Sequence, residues 1–152
     1  MRIFFTSAIL VLSLLRPAAS ADSTLLDGYT WRNRLLLVFS PDTDHPEFIA
    51  QNRIFAAVQS ELQDRNLLVL RMIPDEPIKI DNKTSVGSSS KTIYRNFSIE
   101  LEDFRVLLIG KDGTLKLTQT RAVKSSELFN LVDAMPMRRM EMQSKDVFGN
   151  QD

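Results

Sequence analysis

Two runs of unbroken apolar residues, Leu35-Leu36-Leu37-Val38-Phe39 and Leu67-Leu68-Val69-Leu70, constrain the fold of this chain more than any other feature. A strand with one wet face alternates apolar and polar residues, whereas an unbroken run suits a strand covered on both faces. Met72 and Ile73 carry the second run beyond Arg71. Between the two runs, Phe48, Phe55, Val58 and Leu62 are spaced to share one face of a helix. That helix is expected from Pro46 to about Asp64, with Asp44 or His45 as its cap and Pro46 and Glu47 in its first turn. Strand, helix and strand in this order predict a right-handed βαβ unit with parallel strands.

The second half reads differently. Residues 74–92 contain Pro74, Pro77, Gly87 and Ser88-Ser89-Ser90 and show no apolar period, so they are expected to form a flexible loop. A short helical turn is expected around Ile93 to Phe97. Phe104 to Ile109 then reads as a strand, Gly110-Lys111-Asp112-Gly113 as a hairpin turn, and Thr114 to Thr118 as a half-exposed antiparallel strand. Ser125 or Ser126 is placed to cap a helix carrying Leu128, Phe129, Leu131 and Val132. Pro136 interrupts it, and a second helical piece is expected from Met137 to about Ser144, before a polar tail over 146–152. The order βαβ, connector, ββα is an α/β class arrangement of the minimal thioredoxin-like kind. It predicts a four-stranded mixed sheet with helices on both faces.

The N-terminus has the grammar of an export signal. Met1-Arg2 is a basic start, Ile3 to Leu15 is almost wholly apolar, and Ala19-Ser20-Ala21 is a small-x-small cleavage site. The apolar run is shorter than the roughly 20 residues that span a bilayer as a helix. Residues 1–21 are therefore expected to be a signal peptide cleaved after Ala21, leaving 22–145 as a single domain in the periplasm or outside the cell. No later apolar stretch is long enough for a transmembrane segment. Arg2 and Arg16 leave with the signal, so the mature chain holds 17 basic against 19 acidic residues. That balance suits neither nucleic acid nor an anionic membrane.

The chain has no cysteine. A thioredoxin-like core usually carries a reactive thiol at the end of its first strand, where this chain has Ser40-Pro41-Asp42-Thr43-Asp44-His45-Pro46. Because the thiolate is the nucleophile in thiol redox chemistry, that chemistry is excluded. A P-loop, a G-x-G-x-x-G and a nucleophile elbow are also missing, and the sequence implies no cofactor.

Three segments carry a family resemblance: Trp31-Arg32-Asn33-Arg34-Leu35-Leu36-Leu37-Val38-Phe39, Leu108-Ile109-Gly110-Lys111-Asp112-Gly113 and Asp133-Ala134-Met135-Pro136-Met137-Arg138-Arg139-Met140-Glu141. Together they resemble the bacterial branch of the DUDES-domain family, whose animal relatives include sushi-repeat-containing extracellular proteins and coiled-coil-domain-containing protein 80. The resemblance implies a thioredoxin-like or peroxiredoxin-like fold without thiols in exported or extracellular proteins. It brings no catalytic residues.

Four groups of residues are candidates for function. Asp42, Asp44 and His45 lie where open α/β sheets favour ligands and offer oxygen and imidazole donors to a cation; the plainer reading makes Asp44 a helix cap and His45 a solvated loop residue. Asp42 and Asp44 are also the one carboxylate pair suited to acid–base work. Met135, Met137, Met140 and Met142 are soft potential ligands for Cu(I), set against Arg138 and Arg139 within the cluster and against ordinary packing of a terminal helix. Tyr29, Trp31, Arg32 and Arg34 combine residue types enriched in binding hot spots; otherwise the aromatics cover the core and the arginines are solvated. Asn82-Lys83-Thr84 and Asn96-Phe97-Ser98 are glycosylation sequons that matter only in a glycosylating host. The reading that follows is an interaction module for another envelope or extracellular protein, contacting it through loop 40–46 and Trp31/Arg32, with a metal-binding protein as the alternative.

Overall fold

The computed structural model describes residues 24–149; the expected signal peptide and its cleavage site lie outside them. The apolar run at 35–39 becomes β1 (Arg34–Phe39) and that at 67–70 becomes β2 (Leu67–Met72). They pair in parallel with Arg34 opposite Leu67 and Phe39 opposite Met72. Between them the expected single helix is two, α2 (Pro46–Ala57) and α3 (Gln59–Asp64), separated at Val58, whose φ is −130°. Phe48, Phe55 and Leu62 are buried from one face, as their spacing predicts. A four-residue helix, α1 (Thr24–Asp27), precedes β1.

The sheet has six strands, where four were expected. The two additions, β3 (Pro77–Ile80) and β4 (Lys83–Ser89), come from the segment read as a loop. They form a hairpin whose two-residue turn is Asp81-Asn82, both at positive φ (45° and 69°), the backbone of a type I′ turn. The Asp81 carboxylate accepts the Val69 N–H at 3.0 Å and its own N–H donates to the Val69 carbonyl at 2.9 Å, fastening the hairpin to β2. The next elements are α4 (Ser90–Asn96), β5 (Arg105–Ile109) and β6 (Leu115–Gln119). Gly113 at φ +75° supplies the left-handed residue of the β5–β6 turn. Two helices end the chain, α5 (Ser125–Asp133) and α6 (Pro136–Gly149). Neither serine caps α5: Lys124 occupies the cap, and its side chain makes no capping bond.

The strand order is β4-β3-β2-β1-β5-β6, with only β1 and β2 parallel. Alternate residues of β1 divide the core. Leu36 and Val38 meet Phe55, Leu62, Leu128 and Val132 from α2, α3 and α5, while Leu35, Leu37 and Phe39 meet Ile93 and Tyr94 from α4. All six β1 residues are buried, which is why the run shows no alternation.

Candidate functional site

The expected contact residues lie at opposite ends of β1. Trp31 and Arg32 precede the strand and loop 40–46 follows it, so a six-residue strand, about 20 Å at 3.3 Å per residue, separates them. They are two surfaces.

At the C-terminal end, the loop is anchored from beneath. The buried Ser40 donates its N–H to the Met72 carbonyl at 3.1 Å and its hydroxyl to the Asp42 carbonyl at 2.7 Å. The Tyr94 hydroxyl donates to the Ser40 carbonyl at 2.8 Å and lies 3.2 Å from that of Met72, tying α4 to the ends of both parallel strands. Burial pushes the Tyr94 phenol up to about 12. Above this anchor Asp42, Thr43 and Asp44 are exposed, and the Asp42 carboxylate accepts the Asp44 N–H at 2.9 Å. Asp44 is not the helix cap. His45 takes that position without a side-chain capping bond. Instead its ring stacks on Phe104, centroids 5.5 Å apart and planes 4° from parallel, with Nδ1 shielded from solvent and unpartnered. Among the described residues no group of three or more His, Asp or Glu side chains is placed to hold a metal ion. Glu47 and Gln51 brace α2 from the far side. Glu47 accepts the Ala122 N–H at 2.6 Å, and the buried Gln51 accepts the Val123 N–H at 2.7 Å.

Three of the four methionines lie on α6, where Met137 and Met140 share a face at i, i+3 spacing. Met135 packs on the core beside α5 and α2, and Met140 is exposed. Met140 and Met142 point to nearly opposite sides of α6, about 160° apart at 100° per residue.

At the N-terminal end, Trp31 is 66% exposed, so it does not cover the core. Its φ is +66°, a left-handed backbone that is an outlier for a bulky side chain. The bond that holds it there runs from the Trp31 N–H to the Lys111 carbonyl at 2.6 Å. Arg32 beside it is exposed, and Tyr29 is half-buried against the α4 side of the core.

Behind Trp31 lies an ion network that the sequence did not reveal. Arg34, expected to be solvated, is only 1% exposed. Its guanidinium donates to both Glu141 oxygens at 3.1 and 3.2 Å and to the Arg65 carbonyl at 2.8 Å. Lys111 reaches the same Glu141 carboxylate at 2.8 Å. Arg138, also buried, donates to the Asp64 carbonyl at 2.9 Å, pairs with the Asp64 carboxylate, and meets Asp133 at 3.2 Å. Arg65 pairs with Asp133 at 2.7 Å while its guanidinium lies 4.2 Å over the Phe129 ring. Lys145 completes the pairing of Asp64. Burial pushes the Glu141 and Asp133 carboxyls up, but the guanidinium and ammonium partners outweigh it and hold both below the ordinary carboxylate range. Asp64 is lowered chiefly by its bond from Lys145, against desolvation and with help from Arg138. Each of the three segments that carry the family resemblance contributes to this network, through Arg34, Lys111 and the set Asp133, Arg138 and Glu141.

Comparison with known proteins agrees with this architecture. The family described as a domain of unknown function (DUF4174) matches residues 25–141. Coiled-coil domain-containing protein 80 of Danio rerio is 27% identical over 142 residues, covering 82% of this chain and 16% of its own. Sushi repeat-containing protein SRPX of Homo sapiens is 27% identical over 123 residues, covering 79% of this chain and 26% of its own. The chain thus spans between about a sixth and about a quarter of the length of these relatives, which belong to the groups named by the resemblance. Among solved structures, the reduced 2-Cys peroxiredoxin of Plasmodium vivax superposes with a TM-score of 0.57 at 16% identity, over 76% of this chain and 84% of that one. Thioredoxin peroxidase I of Plasmodium yoelii gives 0.55 at 17% identity, over 84% and 82%. At this identity the likeness shows the fold, which is thioredoxin-like. Among the described residues no helix is long and apolar enough to cross a membrane.

Proposed function

The chain belongs to the DUF4174 family, and on that premise we propose that it is an exported, thiol-free thioredoxin-like domain that binds another protein of the envelope or extracellular space through Trp31 and Arg32. The observation that carries this reading is the posture of Trp31. A large apolar side chain is held two-thirds in solvent on a backbone of positive φ, a conformation that costs on the order of 1–3 kcal/mol and persists where surrounding structure over-determines it. Here the fixing structure is the Lys111 carbonyl, and Lys111 is in turn held by Glu141. An exposed tryptophan beside an arginine, presented by a rigid base, has the composition of a hot spot that fills an apolar pocket with an acidic rim. The signal grammar of residues 1–21 supports export of the domain. Loop 40–46, with Asp42, Asp44 and His45, is a separate surface on this reading and is secondary to Trp31.

The test is cross-linking of the protein in its own host, comparing the unaltered chain with Trp31→Ala, Arg32→Glu and Asp44→Ala. One stoichiometric partner retained by Asp44→Ala and lost from both Trp31→Ala and Arg32→Glu is the expected result. A partner set unchanged by both N-terminal substitutions in folded protein would remove the assignment.

A further inference from the structure

A second site lies on the other half of the sheet, in a cleft of about 620 Å³ between α2–α3 and the β2–β3–β4 edge. Its volume falls in the range of small-molecule sites, roughly 300–1,000 Å³. The wall opposite the helices is formed by β2 and by Pro77, Lys79 and the 81–83 turn of the hairpin. Ala56, Ile73 and Pro77 give the cleft accessible apolar lining above the buried Phe55, Leu62 and Val69.

One charged side chain interrupts that lining. Arg71 follows Leu67 and Val69 on the same face of β2, where an aliphatic residue would continue the core. Its Nε donates to the Asn52 Oδ1 of α2 at 2.5 Å, while Nη1 is shielded from solvent and has no hydrogen-bond partner. Burial lowers the guanidinium's affinity for its proton, and the charge of Asp81 offsets this in part. Asp81 supplies no hydrogen bond to it and is occupied with the Val69 N–H. A guanidinium has five N–H donors in a planar fork, and buried charges are normally paired. Lys79 and Lys83 also line the cleft, with Glu76 and Asp81; Lys79 is bound to Glu76 at 3.1 Å. Three cations against two carboxylates leave one positive charge for an occupant to neutralise.

We infer that this cleft binds a small monocarboxylate with an apolar body, its carboxylate on the Arg71 fork and its body against Ala56, Ile73 and Pro77. One net positive charge favours a monoanion over a dianion, and a carboxylate spends both its oxygens on the guanidinium fork, whereas a tetrahedral anion held the same way leaves two oxygens for which the cleft offers no second fork. The site is independent of Trp31, and either assignment can fail without the other.

Titration of the full chain with octanoate and phenylacetate, each against its primary amide, tests this. Each acid is expected to bind about tenfold or more tightly than its amide, the difference one charge-assisted hydrogen bond makes. Amide shifts in NMR spectra should centre on residues 52–83. Arg71→Gln should erase the preference for acid over amide. Asn52→Asp, which sets a carboxylate beside Arg71 within the protein, should erase it too and guards against a folding defect in the first variant. Equal binding of acid and amide, no binding to folded protein, a preference that survives both substitutions, or displacement by inorganic phosphate below the acid's own dissociation constant would each overturn the assignment.

Discussion

Replacing Glu141 by alanine is the perturbation that most exposes how this fold is held together. Glu141 faces Arg34, Lys111 and Arg138, and among the described residues no other carboxylate meets Arg34. With the side chains of Arg34 and Glu141 only 1% and 22% exposed, removing the acid strands the Arg34 charge, apart from its bond to the Arg65 carbonyl. Breaking a fully buried pair from one side costs about 3–5 kcal/mol. Water reaches Glu141 in part, and Arg138 keeps Asp64 and Asp133, so the expected loss is nearer 3 kcal/mol, or roughly 10–15 °C in Tm for a domain of this size. Urea unfolding followed by far-UV circular dichroism measures it, with an unchanged m-value showing that the denatured state is not what moved. The double variant Arg34→Met, Glu141→Leu should recover part of the loss, because an apolar pair needs no charge compensation. Recovery is incomplete because Lys111 loses its partner in both. A loss below about 0.5 kcal/mol for Glu141→Ala, the value of an exposed pair, would refute the view that this network is a structural clasp.

Acid should act on the same clasp. The Asp64, Asp133 and Glu141 carboxyls are all lowered in the folded state, so their contribution is complete above their unfolded values near 4 and is lost as pH falls below them. Asp112, drawn to about 2 chiefly by its hydrogen bond from Lys116, extends the loss toward pH 2; a Tm that did not fall between pH 5 and pH 2.5 would contradict the ion-pair assignments. Tyr94→Phe removes the hydroxyl bond to the Ser40 carbonyl and should cost about 1–2 kcal/mol, with faster hydrogen exchange at Ser40 and Asp44. Ultraviolet titration should find the Tyr94 phenol ionising near 12, so the stability it gives is present below its unfolded value near 10 and is lost as pH rises above that.

How much was legible depends on the range of the interactions involved. β1 and β2 could be read because both their faces are buried and composition alone reports it. The β3–β4 hairpin was missed because it carries Pro77 and few apolar residues, with Ile78 fully buried and Ile80 half-buried. The available signal was local, since Asp81-Asn82 is a pair that tolerates the two positive φ angles of a tight hairpin. No local signal existed for Arg34. Its partner Glu141 lies 107 residues away, and without that carboxylate an arginine at a strand start reads as solvated. Trp31 was ambiguous for a related reason: its exposure is set by a bond to the Lys111 carbonyl across the fold, and aromatic composition cannot tell a covered ring from a displayed one. The spatial relation of the candidate residues was not legible, because only the fold shows that a six-residue strand separates Trp31 and Arg32 from loop 40–46.

The most direct test of the central claim measures folding and association together in Trp31→Gly. Glycine relieves the positive φ, worth about 1–3 kcal/mol, while the third of the indole that is covered gives back about 2 kcal/mol at about 25 cal/mol per Å². Folding stability should therefore move by no more than about 1 kcal/mol, with cross-linking to the protein partner abolished. A loss of about 3 kcal/mol or more, as for a core tryptophan, or a partner still held by the folded variant, would show that Trp31 serves the fold and not the contact.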